Sequence, residues 1–243
     1  MAEKIQAIVI KSNDRKEKDK SILLFSLEKG KLWATLRGVK DDKAKMKLAK
    51  NPFCYGEFVL EEGKAGYVVT GFEAKETFHE ISEDIDKFFE ASAILEAVYL
   101  HSFSSEQEIT QIFVLTLKTL MKICFGKLQS LYALDKFLLE LFKICGFPLY
   151  SDKCTCCQNK IDVKKFYINF PHGDMVCSRC RNFDSFELSP AVYSALKFLS
   201  ETTFEKIDTL RLSKTSEIEL LKVLVKNYSC HFDKEMKLVG ILL

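Results

Sequence analysis

Apolar and polar positions alternate through the first third of the chain and then shift to a helical period, so the sequence divides by rhythm before any motif is read. Residues 6–11 open a strand, residues 12–18 form a polar, charged turn, and residues 21–26 start a second strand, which is hairpin patterning. Glu28-Lys29-Gly30 turns the chain into a third strand, residues 31–37. Its alternation puts Leu32, Ala34 and Leu36 on one face and Lys31, Trp33, Thr35 and Arg37 on the other. Residues 53–60 and 65–72 read as two more strands, joined at Glu61-Glu62-Gly63-Lys64. Five short strands with a long link after the third predict a small closed barrel.

From Ser82 the period becomes about 3.6. Ser82 is placed to cap a helix with Glu83 and Asp84 in its first turn and an apolar stripe of Ile85, Phe88, Phe89, Leu95 and Val98. Ser105-Glu106-Gln107-Glu108 has capping-box spacing and opens a helix that Gly126 ends; being apolar nearly all round, it is expected to lie centrally. A third helix is predicted over residues 130–145, stopped by Gly146 and Pro148. Ser189-Pro190 starts a fourth, and residues 213–228 form a last one with Ile218, Leu221, Val225 and Tyr228 inward. The fold class is therefore α+β: a barrel domain over residues 1–79 followed by a helical domain over residues 80–243.

The helical domain carries the strongest local signal. Cys154-Thr155-Cys156-Cys157 and Cys177-Ser178-Arg179-Cys180 are two CxxC knuckles with nineteen residues between them, the spacing of a tetrahedral zinc site made by Cys154, Cys157, Cys177 and Cys180. Four thiolates leave no place for a water, which points to structural zinc rather than hydrolytic chemistry. Cys156 and His172 are alternative ligands, and buried or disulfide-bonded thiols are the alternative reading of the set. Residues 166–170 and 175–176 read as a hairpin turning at Pro171-His172-Gly173-Asp174, so a zinc-ribbon-like insert is expected over residues 150–185. The remaining cysteines are scattered singly, as reduced core thiols are.

Charge changes the picture at the front. The net +2 of the 243-residue chain conceals fourteen Lys/Arg against seven Asp/Glu in residues 1–50 and an acidic remainder. A concentrated basic region is the footprint of a polyanion-binding surface, and an exposed aromatic beside it suits single-stranded nucleic acid, whose bases stack while lysines follow the phosphates. The candidate contacts are Lys11, Arg15, Lys16, Lys20, Lys31, Trp33, Arg37, Lys40, Lys43, Lys45 and Lys47. A solvated lysine-rich loop and a core-packed Trp33 are the competing readings. No dinucleotide, Walker, nucleophile-elbow or HExxH motif occurs, and His79, His101 and His231 are isolated, so no catalytic residue is expected. No apolar run reaches the ~20 residues of a membrane span and no signal core opens the chain, so a cytoplasmic protein is expected.

Several of these residues stand in a familiar order: Ala7-Ile8-Val9-Ile10-Lys11, Asp19-Lys20-Ser21-Ile22-Leu23-Leu24-Phe25, Gly30-Lys31, Arg37-Gly38 and Pro52-Phe53. Further on come Lys136-Phe137, Leu138-Leu139, Leu141-Phe142, Cys145-Gly146-Phe147-Pro148 and then Cys154 and Cys157. In this the chain resembles the RecO family of bacterial DNA repair and recombination mediators over nearly its whole length. The resemblance implies an OB-fold barrel at the front and a non-enzymatic, nucleoid-associated protein that binds single- and double-stranded DNA and anneals strands. It also implies docking on the acidic-hydrophobic C-terminal tail of single-stranded DNA-binding protein (SSB), and work with RecR to load RecA. By the same resemblance Lys136 matches a basic position near the pocket for that tail. Some members lack the cysteines, which implies a scaffold role for zinc. The charged turn over residues 13–18 departs from the family pattern. An RNA-binding or transcription-linked module and a protein–protein adaptor are the alternatives.

Overall fold

The computed structural model of the chain describes residues 2–15, 17–39, 46–64, 66–126, 131–162, 165–170 and 173–242. β1 (Ala2–Asp14) is long because it serves two neighbours: its front pairs with β4 (Tyr55–Gly63) and its rear with β2 (Lys20–Ser26). β2 pairs with β3 (Gly30–Leu36), and β3 closes on β5 (Gly66–Glu76) through a short parallel contact at Ala34 with Tyr67 and Thr35 with Val68. The result is a closed barrel in the order β1-β2-β3-β5-β4. The expected turn over residues 12–18 begins later, since β1 runs on through Asp14. The fourth strand starts at Tyr55 rather than Phe53, which is buried with φ 71° and ties its amide to the Val9 carbonyl at 2.9 Å.

Period two sorts the strand residues as expected. Ile5, Ala7, Val9, Ile22, Leu24, Ala34, Leu36, Phe58, Leu60 and Val69 fill the interior. The outward set divides. Ile8, Ile10, Leu23 and Phe25, with Phe53, are buried in one cluster with the helices, which accounts for runs such as Leu23-Leu24-Phe25 that are apolar on both faces. Burying each of Phe25 and Phe53 contributes about 1.5–3 kcal/mol, so barrel and helices are held by a common core.

The helices follow their caps more closely than their expected faces. α1 (His79–Glu83) is a single turn, and α2 (Ile85–Leu100) is capped by Asp84, which accepts from the amides of Asp86 and Lys87, not by Ser82. Ile85 is 68% exposed and Phe88 39% exposed, whereas Leu95 and Val98 of the expected stripe are buried, together with Ala91, Ala93, Ile94 and Ala97. Small side chains there allow close approach, and the Tyr228 hydroxyl donates to the Ala97 carbonyl. α3 (Glu106–Phe125) is capped by Ser105 as expected, but the reciprocal arm of the box is missing, because the Glu108 carboxylate turns to Ser104 and His101. Gly126 ends it at an ordinary φ of −80°, where a Cβ would stand 2.3 Å from the Lys122 carbonyl.

The central helix is α4 (Tyr132–Ile144), buried from Tyr132 to Leu139, whereas α3 leaves Val114, Met121 and Phe125 exposed. Ser130, the expected start of that helix, lies outside the described residues. α5 (Pro190–Glu201) and α6 (Lys214–Phe232) begin at Ser189 and Ser213 as anticipated, and α6 buries Leu220, Leu221, Val223, Leu224, Asn227 and Tyr228. Ile218 and Val225 are only half-buried. A four-residue α7 (Val239–Leu242) follows.

Between α4 and α5 stands a small sheet in the order β7-β6-β8, made of β6 (Phe166–Asn169), β7 (Asp174–Cys177) and β8 (Ser185–Glu187). The pairing of β6 with β7 was anticipated; β8 was not. Phe166 anchors the sheet on Tyr193 of α5, ring centres 4.7 Å apart.

Candidate nucleic-acid interface and metal centre

The outer face of β3 changes character along its length. At its start the Lys31 ammonium is half-buried and donates to the carbonyls of Tyr99 and His101 where α2 meets α3; burial lowers its pKa. Lys11 lies over the Tyr99 ring, 3.5 Å from its centre. These two side chains serve the junction between barrel and helices. Farther along, Trp33 is 46% exposed and Arg37 is exposed, while Thr35 is covered by Arg15, whose guanidinium bonds the Thr35 hydroxyl. Lys20 is beside them, in an ion pair with Asp14 at 3.2 Å, and Lys47 is exposed in a 3-10 turn, Lys47–Lys50. Lys16, Lys40, Lys43 and Lys45 lie outside the described residues, as does His172. The structure thus brings Arg15 and Arg37 to one cavity at the end of the barrel, keeps Trp33 on the outward face of β3, sets Lys20 opposite the inward-facing Leu36, and places Lys11 and Lys31 at the junction.

The junction itself is built on buried polar groups. His101 Nε2 meets Glu108 at 2.8 Å, and the Ser104 amide donates to the same carboxylate at 2.6 Å. Burial alone would raise the Glu108 pKa, but the Ser104 hydroxyl and amide, His101 and Cys145 outweigh it and hold it down at about 2. Burial pushes His101 below its usual value. This constellation is a strut rather than a reactive site, since the carboxylate is saturated by donors and burial, with Glu108 beside it, pushes the Cys145 thiol up to about 12.

Cys154, Cys157, Cys177 and Cys180 come together with all four sulfurs within 4.8 Å of one another. The Cys157 and Cys177 sulfurs are 3.8 Å apart, too far for a disulfide and close to the edge of about 3.8 Å that Zn–S bonds of about 2.3 Å imply for a tetrahedron. The donors around them fit thiolates. At Cys154 burial opposes ionisation, yet the amides of Cys177, Cys157 and Cys156 bring its pKa down to about 6. Backbone amides at Cys180 and Arg179 lower Cys177, and the Asn159 side chain donates to Cys157 at 3.4 Å. Bonding to Cys157 and crowding by the other sulfurs hold Cys180 up. These four residues can hold a metal ion; Cys156 is exposed and outside the cluster.

Lys136 is neither solvated nor free: it is 3% exposed, its ammonium held by Glu140 and by the Leu199 carbonyl at 2.8 Å. It forms the floor of a cavity of about 970 Å³ whose walls include Val114, Met121, Ile144 and Phe204, with the exposed Lys118 at its lip. Lys136 is marked only by the family resemblance, and the walls are not marked at all, because the exposed apolar positions of α3 read as bundle core.

The chain is thus a member of the class that joins a closed five-stranded barrel to a helical body, here carrying a four-cysteine cluster. Residues 1–78 match the family described as Recombination protein O N terminal, and residues 82–238 match Recombination protein O C terminal. The chain belongs to the RecO family. It is 30% identical over 216 residues to the DNA repair protein RecO of Clostridium perfringens (strain 13 / Type A), covering 89% of this chain and 87% of that one. To the DNA repair protein RecO of Clostridium novyi (strain NT) it is 29% identical over 238 residues, covering 98% and 92%. Its function accordingly lies in DNA repair. Among the described residues no helix is long and apolar enough to cross a membrane.

Proposed function

We propose that this protein is a non-enzymatic recombination mediator that binds single- and double-stranded DNA at the uncovered end of its barrel, anneals complementary strands, and works with RecR to load RecA on SSB-coated DNA. The observation that carries the reading is Trp33: a large aromatic left 46% exposed on the barrel, on the β3 face that alternation gives to Arg37 and over which Arg15 bonds Thr35. Base stacking on such a ring contributes about 1–3 kcal/mol, and basic side chains beside it reduce the repulsion between two strands. The division of labour sets residues 1–79 as the nucleic-acid domain and 80–243 as the body, with zinc held by Cys154, Cys157, Cys177 and Cys180 pinning residues 150–185. Zinc would supply structural cross-linking there and no reaction chemistry.

The groove over Lys136 would take the apolar end of the acidic SSB tail, with Lys118 rather than the paired Lys136 meeting its carboxylates. The decisive experiment is annealing of complementary oligonucleotides coated with the cognate SSB, with direct binding measured across a salt series. Affinity should fall with a log-log slope of about 0.7 per phosphate contact, and Trp33→Ala should weaken single-strand binding about tenfold. A flat salt response, or a Trp33→Ala variant that binds and anneals as the parent does, would reject this assignment.

A further inference from the structure

We infer that Arg15, Arg37 and Lys64 form one pocket for a single phosphate group of a nucleic-acid strand. A cavity of about 300 Å³ opens where the end of β1, the end of β3 and the β4–β5 turn converge, lined by these three side chains together with Asp19, Thr35 and the backbone at Gly63 and Gly66. The parallel pairing of Thr35 with Val68 sets its location: the end of β3, with Arg37 just beyond it, runs alongside the start of β5, with Lys64 in the turn before it, so segments distant in sequence line one cavity.

Among the described residues three cations face a single carboxylate there, so the pocket is net positive. Elsewhere on the barrel the cations have partners, Lys4 with Glu57 at 2.7 Å and Lys29 with Glu3 at 3.0 Å. Among the described residues no acid pairs with Arg37 or Lys64. The one carboxylate in the pocket, Asp19, accepts from the Gly38 amide at 3.0 Å and so fixes the turn that carries Arg37. Arg15 is likewise held ready by the Thr35 hydroxyl, and Gly66, at φ 100°, takes a backbone conformation that a side chain would oppose. Two guanidiniums, that of Arg15 held on Thr35, and an ammonium suit the oxygens of a phosphate. Among the described residues no aromatic ring lines the cavity to receive a base. Trp33, two residues before Thr35 on the same strand face, is placed to take the neighbouring base, so the occupant is a backbone phosphate of a strand passing across β3.

This inference rests on the nucleic-acid reading above and adds Lys64, which lies far outside the basic front of the sequence. The test is binding of a labelled single-stranded oligonucleotide of mixed sequence by the full chain and by Arg37→Ala, Lys64→Ala and the double variant, with Lys4→Ala as the paired-cation control. Each single variant should bind about tenfold more weakly, without preference for sequence. The double variant should fall well short of the hundredfold product and lose about 0.7 from the salt slope, because both cations serve one phosphate. Lys64→Ala binding like the parent, or fully multiplicative losses, would overturn the shared pocket while leaving DNA binding in place. Displacement of the strand by inorganic phosphate, beyond that caused by chloride at equal ionic strength, would make it a free-anion site instead. Absence of binding by the parent would remove the broader reading itself.

Discussion

Glu90 offers a test of the core that depends on pH. Its side chain is 4% exposed on α2, and one oxygen accepts the Leu134 amide at 3.0 Å in the first turn of α4. Burial pushes its pKa up to about 8, against the pull of the Leu134 and Ala133 amides; in the unfolded chain the ordinary value is 4.5. Below pH 4.5 the group is protonated in both states and contributes no pH dependence. Between 4.5 and about 8 the unfolded chain gives up the proton and the folded chain keeps it, so stability falls by about 1.36 kcal/mol per pH unit. Above 8 both states are ionised and the loss levels off, at a ceiling of about 5 kcal/mol. Asp135, also buried, is pushed up by burial and then by Glu90 itself, so the pair shares this cost. Glu90→Gln retains a carbonyl oxygen for the α4 amides and removes the titration. The variant should therefore match the parent near pH 5 and exceed it by up to about 3 kcal/mol at pH 7. Urea unfolding of both proteins at pH 5, 6, 7 and 8 at fixed ionic strength measures it; carboxylates remote from Glu90 cancel in the difference, and relief of Asp135 adds to it with the same sign. A difference independent of pH, or a variant less stable than the parent at pH 8, would refute the argument.

Other perturbations separate structural from binding roles. Cys177→Ser should leave the chain with one metal ion fewer by native mass spectrometry and raise amide exchange across residues 150–185, while the barrel amides stay protected. Lys31→Ala should cost about 1–2 kcal/mol in urea unfolding through its lost bonds to the Tyr99 and His101 carbonyls, with oligonucleotide affinity changed less than twofold. At Gly173 an added Cβ would stand 2.0 Å from His231 Nε2, whose ring stacks on Phe147 at 4.1 Å. Gly173→Ala should consequently cost about 1–3 kcal/mol yet leave metal content unchanged.

Much of the scaffold could be read from local rules. The alternation of β3 and the turn residues around it announced the barrel, and the helix caps at Ser105, Ser189 and Ser213 are placed where their side chains can bond the first-turn amides. What local rules missed was which face each helix buries. In α2 the large residues Ile85 and Phe88 suggest the inward stripe, but they sit in the first turn, where Asp84 rather than Ser82 sets the start and the helix has not yet passed under its neighbours. The buried face keeps Leu95 and Val98 but adds Ala91, Ala93 and Ala97, whose small side chains allow close packing, and it includes a carboxylic acid that bonds the first turn of another helix. No rule of period or propensity would place Glu90 in a core; its partner is 44 positions away.

The sites divide in the same way. Knuckle spacing picks out the four cysteines that cluster because each pair is set by a turn of four residues, and the first knuckle is tied to β7, which ends at Cys177, by the Thr155 amide donating to the Met175 carbonyl. The nucleic-acid surface is less local. Alternation assigns Lys31, Trp33 and Arg37 to one face correctly, but it is silent on what covers that face. The loop between α2 and α3, about seventy residues downstream, takes Lys31 out of solvent and leaves Trp33 and Arg37 in it. Lys64 shows the converse: its own neighbourhood, Glu61-Glu62-Gly63-Lys64, reads as an ordinary acidic hairpin tip. Only the parallel seam that closes the barrel brings it to Arg37, so a search confined to the basic front of the chain counts charges that are spent on the helices and omits one that faces the strand.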